Sequence, residues 1–169
     1  MTPGWRPLSA AALRGLPAPL RPLAGDAGSV TAALRRVCGA ALECRLLAHG
    51  VRAATVEEAG YLRLAAGAMV FWRRVRFRHA GRTLLIGHTL VPVGVLAQWP
   101  ALRRLGDRPI GELLFADPAV RRQGIELARA APLPGVPALF ARRARVPAGR
   151  GHIAVMEHFL PPMLRLPLP

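Results

Sequence analysis

Residues 69–92 read MVFWRRVRFRHAGRTLLIGHTLVP, and the fold class turns on this stretch. Two runs rich in Val, Phe, Leu, Ile and Thr flank His79-Ala80-Gly81-Arg82, the pattern of a β-hairpin closed by a tight turn. Pro92 should end the second strand, because proline cannot donate to a ladder. Side chains alternate along a strand. One face of the first strand therefore carries Met69, Phe71, Arg73, Val75 and Phe77, and the other Val70, Trp72, Arg74, Arg76 and Arg78. The second set reads as solvated. The first is apolar except for Arg73, and an arginine among such neighbours needs an anionic partner, since an unpaired buried charge costs several kcal/mol.

Downstream, residues 101–105 read as a short helix, Pro109 fits the first position of another (PIGELLF), and Asp117-Pro118 opens a turn. Three strands are expected at 123–130, 139–146 and 152–160, separated by PLPGVP and PAGRG. The last repeats the anomaly of the hairpin. One face holds Ile153, Val155, Glu157 and Phe159, with a single charge on an apolar stripe, and the other Ala154, Met156, His158 and Leu160. Upstream, SVTAALRRV at 29–37 reads as a helix capped by Ser29, and 42–55 as a strand kinked at Gly50. Residues 1–28 lack an acid before Asp26 and are proline-rich, which reads as an irregular arm with one short helix. The expected organisation is this arm followed by one domain, 29–169. Hairpin-linked strands with short helices between them indicate an α+β domain on an antiparallel sheet. Arg73 and Glu157 leave two readings open: a buried salt bridge, or an apolar pocket offering one cation and one carboxyl to a small ring with complementary groups.

Composition removes several chemistries. The net charge is +15, yet every basic residue is arginine and neither Lys nor Asn occurs, as a GC-rich coding bias would produce. Such a surface attracts anions without selecting among them. Aromatic residues make up only 5%, a poor supply of base-stacking platforms, so no nucleic-acid partner is expected. Absence of Lys removes a P-loop lysine, a Schiff base and a pyridoxal anchor. Serine stands only at positions 9 and 29, outside any nucleophile elbow. Cys38 and Cys44 match no zinc or redox spacing and are expected as reduced thiols. The five histidines, at 49, 79, 88, 152 and 158, are scattered, so neither a metal nor a covalent nucleophile is expected. Residues 83–102 contain no Arg, Asp or Glu over a span-length run, but Pro92, Pro100, His88 and Gln98 interrupt it. A buried strand, a turn and a helix start explain it better than a membrane span.

The ordered pieces FWRRVRF, AGRTLLIGHTLVP, PIGELLF, ARRARV and MEHFLP, covering about residues 69–161, resemble the chorismate lyase family, with a fainter match at Ser29-Val30-Thr31. That resemblance implies a single α+β domain around a mostly six-stranded antiparallel sheet. It implies a chorismate pyruvate-lyase yielding 4-hydroxybenzoate and pyruvate without cofactor or metal, with slow product release. On the matched positions, Arg73 would grip the ring carboxylate and Glu157 would meet the ring hydroxyl. Val30 and Ile110, where the family commonly has Met and Leu, would supply backbone and pocket wall. Arg142, Arg143 and Arg145 match an arginine-rich strand, with Arg142 or Arg145 the candidate for the enolpyruvyl carboxylate. The family further implies a cytoplasmic monomer whose product feeds ubiquinone biosynthesis through hand-off to a membrane prenyltransferase. The alternative is a non-catalytic, effector-sensing domain of the same fold that binds small aromatic acids.

Overall fold

A computed structural model of the chain describes residues 4–117, 119–129 and 135–168. The 69–92 stretch forms the hairpin its sequence calls for: strands β3 (Met69–His79) and β4 (Arg82–Pro92) are joined by Ala80 and Gly81. Both turn residues have positive φ, 46° and 74°, the conformation whose twist matches the flanking strands. Around the hairpin lie β1 (Arg6–Pro7), β2 (Glu43–Ala53), β5 (Gln123–Ala128), β6 (Phe140–Ala148) and β7 (Gly151–Phe159), in the order β1-β5-β6-β7-β4-β3-β2. Every neighbouring pair is antiparallel.

The sheet thus has seven strands, not six. The additional strand is β1, which pairs Arg6 and Pro7 with Leu127 and Glu126 of β5. Two residues carry too little pattern to be read as a strand. The rest of the N-terminal segment is structured as well. Helices α1 (Ala10–Arg14) and α2 (Arg21–Gly25) are joined by a 3-10 turn at Ala18–Leu20. Leu16, Leu20, Leu23 and Ala24 from this segment are buried in the core.

Helix α3 (Val30–Cys38) starts where Ser29 caps it, the Ala32 N–H donating to Ser29 Oγ at 3.2 Å. Helix α4 (Val56–Leu62) opens with a reciprocal capping box between Thr55 and Glu58. Helices α5 (Val93–Gln98) and α6 (Ile110–Leu114) flank a 3-10 segment at Pro100–Arg104. Pro109 stands at the N-cap of α6 rather than inside it. Strand β2 has its irregularity between Leu46 and Ala48, not at Gly50; Gly50 instead lies against the Trp72 ring.

The helices divide the sheet into two unequal faces. Helices α1–α3, with α5 and α6, cover the face bearing Phe71, Val75, Phe77, Val155 and Phe159, and two apolar clusters form beneath them. Phe140 and Phe159 stack there with centroids 4.4 Å apart. Contrary to the alternation reading, the opposite face is not simply solvated. Val70 is wholly buried, packed with Leu62 of α4, Leu90 and Ala154. Burying that apolar set against α4 removes it from water, while Arg74 and Arg76 remain half-buried beside it.

Candidate active site

Arg73 and Glu157 sit on the helix-covered face, on strands separated by β4. Arg73 lies opposite Thr89, and Gly87, two residues along β4, lies opposite Glu157. Two strand spacings and two residues separate their Cα atoms, about 12 Å. They do not form the salt bridge that was one reading of the sequence. Each finds other partners.

Glu157 stands between two arginines. Arg122 Nη2 donates to its Oε1 at 2.6 Å, and Arg142 Nε to its Oε2 at 2.8 Å. All three side chains are nearly or wholly buried. Burial works to raise the Glu157 pKa, but the two guanidiniums outweigh it and hold the carboxyl below the usual carboxylate range. Burial in turn pushes Arg122 down to about 10, still a cation at neutral pH. Arg142 is fully committed to structure. Its Nη1 donates to the carbonyls of Leu23 at 2.8 Å and Asp26 at 2.7 Å, fastening the N-terminal segment over the sheet. Arg122 keeps one nitrogen, Nη1, buried and without a hydrogen-bond partner, and its guanidinium stacks 5.2 Å over Phe115.

Arg73, 3% exposed, donates through Nη2 to the carbonyls of Gly106 at 2.7 Å and Arg108 at 2.6 Å. Burial lowers its pKa. Its Nη1, like that of Arg122, is buried and unpartnered.

A narrow cavity runs up to the Arg122–Glu157 pair. Val75, Gly87 and Val155 of the sheet form its floor, Thr31 of α3 and Ile110 of α6 its roof, and Arg122 and Glu157 its charged end. Gly87 is needed for the hollow: a Cβ there would come within 3.0 Å of Val75 Cγ2. The open room inside is about 30 Å3, far below the roughly 150 Å3 of a cavity that takes up benzene, so a ring can enter only if the roof lifts. That roof is clasped at its rim by ion pairs, Arg35 with Glu112 between α3 and α6, and Arg45 with Asp107 between β2 and the loop before α6.

Of the residues singled out in the sequence, Glu157 and Ile110 line the cavity and Arg142 binds Glu157, whereas Arg73 is outside the lining and adjoins it only through Val75 along its strand and its cross-strand partner Thr89. Val30, buried, is the first residue of α3 beside the lining Thr31. Arg145 does not join them. It projects from the opposite sheet face onto Tyr61, 5.5 Å from the ring, because Arg142, not Arg145, shares the parity that faces Glu157. Arg122, Gly87 and Thr31 were missed. Among the described residues, no three His, Cys, Asp or Glu side chains converge as metal ligands would, and no helix is long and apolar enough to cross a membrane.

Residues 9–165 match the family model for chorismate lyase. The chain belongs to the chorismate lyase family. Among curated relatives it is similar to a "Probable chorismate pyruvate-lyase" of Methylococcus capsulatus, 32% identical over 84% of this chain and 94% of that protein. Another of that name, from Azoarcus sp., is 34% identical over 88% and 87% of the two chains. Among solved structures, the C-terminal domain of PhnF superposes with a TM-score of 0.57 at 19% identity, over 77% of this chain and 88% of that one. A likeness at that identity is one of fold alone: the chorismate lyase family chain shares its α+β architecture with that domain.

Proposed function

We propose that this chain is a chorismate pyruvate-lyase, converting chorismate to 4-hydroxybenzoate and pyruvate. One observation carries the reading beyond family membership. The cavity is lined by Arg122 and by one carboxylate, Glu157, held between Arg122 and Arg142; Arg73, two residues before the lining Val75, has like Arg122 a buried Nη1 without a hydrogen-bond partner. Chorismate is a dianion with two carboxylates and one ring hydroxyl, which matches two cationic donors and one acceptor. Arg73 takes the ring carboxylate, giving up the loop carbonyls of Gly106 and Arg108 as the roof lifts. Glu157, acceptor-only when ionised, receives the ring hydroxyl through a lone pair that Arg122 leaves free. Arg122 Nη1 takes the enolpyruvyl carboxylate, the role the sequence left to Arg142 or Arg145. Arg142 is a positioning residue that holds Glu157.

In the reaction the bond from ring C3 to the ether oxygen breaks and the proton on C4 is lost. That proton goes to the methylene of the departing enolpyruvyl group, which becomes the methyl of pyruvate, and the ring becomes aromatic. Atoms and electrons balance without an oxidant, metal or cofactor. The protein's part is to hold one reactive conformer and to set cationic donors where negative charge gathers on the leaving group. Beyond the site, we read the protein as a cytoplasmic monomer whose product enters ubiquinone biosynthesis by hand-off to a membrane prenyltransferase.

The test is purified protein with chorismate in buffer containing a chelator, with both products followed by chromatography. Equimolar 4-hydroxybenzoate and pyruvate are expected. Tight binding of 4-hydroxybenzoate by folded protein that leaves chorismate intact would overturn the reading in favour of an effector-binding domain.

A further inference from the structure

A second concavity lies at the other end of the sheet and shares no lining residue with the cavity above. It is an open cleft of about 780 Å3, where β3 and β7 begin, β4 gives way to α5, and α4 ends. The size is that of small-molecule sites, commonly about 300–1,000 Å3. One wall is apolar: Leu64 with Met69 and Val93, the last two 46% and 36% exposed. The other is basic: Arg63, Arg145 and Arg150, and the lining contains no Asp or Glu.

What sets these arginines apart is convergence: all three line one cleft whose lining holds no acid. Among the described residues, none of the three is in an ion pair. Arg145 Nε is buried with no hydrogen-bond partner, and Nη1 reaches only the Tyr61 carbonyl at 3.4 Å. Its neighbour Arg143, by contrast, is neutralised by Glu57 and Glu126. Arg63 closes α4 in the left-handed region, φ 57°, where glycine is usual, so the helix ends on a residue of the cleft's lining. Cations without counter-charge beside exposed apolar side chains suit a ligand that supplies both an anion and a hydrocarbon.

We propose that this cleft binds an amphipathic anion, a phosphate or carboxylate carrying an apolar chain, with Arg63, Arg145 and Arg150 on the anionic head and Leu64, Met69 and Val93 along the chain. Such a ligand could be free in solution or be a lipid in a bilayer, and the experiment separates the two. Calorimetric titration with monomeric dodecyl phosphate is expected to show one site, at least tenfold tighter than inorganic phosphate or uncharged dodecyl maltoside. The double variant Arg63→Asn with Arg150→Gln should weaken it at least tenfold. A control double variant, Arg36→Gln with Arg165→Gln, removes equal charge elsewhere and should not. Excess 4-hydroxybenzoate should leave the titration unchanged, so the outcome does not depend on the lyase reading. Sedimentation with phosphatidylglycerol vesicles, lost in the cleft variant only, would assign the head group to a membrane lipid; binding of the monomeric probe alone would assign a soluble ligand. Failure of the parent to bind dodecyl phosphate, equal loss in both double variants, or displacement by 4-hydroxybenzoate would each overturn the proposal.

Discussion

Replacing Glu157 with glutamine changes little in shape and much in charge. The side chains of its partners Arg122 and Arg142 are 3% and 0% exposed, so neither guanidinium can turn to water for a substitute counter-charge. Removing one member of a buried ionic cluster in this way costs about 3–5 kcal/mol, a large part of the roughly 5–15 kcal/mol that holds a domain together. At about 2–4 °C per kcal/mol for a chain of this size, the melting temperature at pH 7 should fall by roughly 6–20 °C. The second variant, Glu157→Gln with Arg122→Met, deletes one of the two orphaned cations and should recover part of that loss. Melting curves by circular dichroism for parent, single and double variants decide the matter. A single-variant loss below about 1 kcal/mol, or a double variant no more stable than the single, would refute the claim that Glu157 is the counter-charge for both arginines.

Three further outcomes follow from the same geometry. Arg73→Met removes a buried cation with one unpartnered nitrogen but also strips two hydrogen bonds from the Gly106 and Arg108 carbonyls, so a stability loss of about 1–3 kcal/mol is expected, while kcat/KM of the folded variant for chorismate should fall at least 100-fold, from about 3 kcal/mol of lost charge-assisted hydrogen bonding; activity within threefold of the parent would remove Arg73 from the site. Gly87→Val fills the cavity floor against Val75, costing about 1–3 kcal/mol of overpacking and weakening 4-hydroxybenzoate binding at least tenfold by titration, whereas unchanged affinity would place the ring elsewhere. Burial, with Arg74 nearby, pushes His88 and His158 down to about 4. Between pH 6.5 and 4 the unfolded chain then binds more protons than the folded one, so stability is full above about pH 6.5 and is lost as pH falls towards 4. Urea melts across that window should show the decline, and the variant His88→Gln with His158→Gln should flatten it; an unaltered slope would assign the loss to other groups.

What was legible in the sequence was whatever depends on local alternation. Arg73 and Glu157 stood out because each is a lone charge on an apolar strand face, and a period of two needs no tertiary information. Ser29 and the Ala80-Gly81 turn were readable for the same reason. Arg122 was not. It lies in an Arg-Arg-Gln run before β5 with no period, and its burial depends on the chain crossing back to Gly28, whose carbonyl accepts from Arg122 Nε at 2.9 Å. Helix α4 carried a readable signal in its Thr55–Glu58 capping box, but seven residues are too few for a clear helical period. The choice between Arg142 and Arg145 required the register of β6 on β7, which a single strand cannot reveal. The buried leucines of the N-terminal segment were masked by its prolines, which read as irregular chain.

The central claim, an enclosed site that turns chorismate over and then holds the product, is tested most directly by a pre-steady-state burst experiment. Protein is mixed with a several-fold excess of chorismate, and both products are quantified at short times after acid quench. The account predicts a rapid phase yielding 4-hydroxybenzoate and pyruvate in equal amounts, close to one of each per protein chain. A slower steady rate should follow, set by escape of the product as the α3–α6 roof reopens. No product from well-folded protein, or pyruvate without matching 4-hydroxybenzoate, would contradict it.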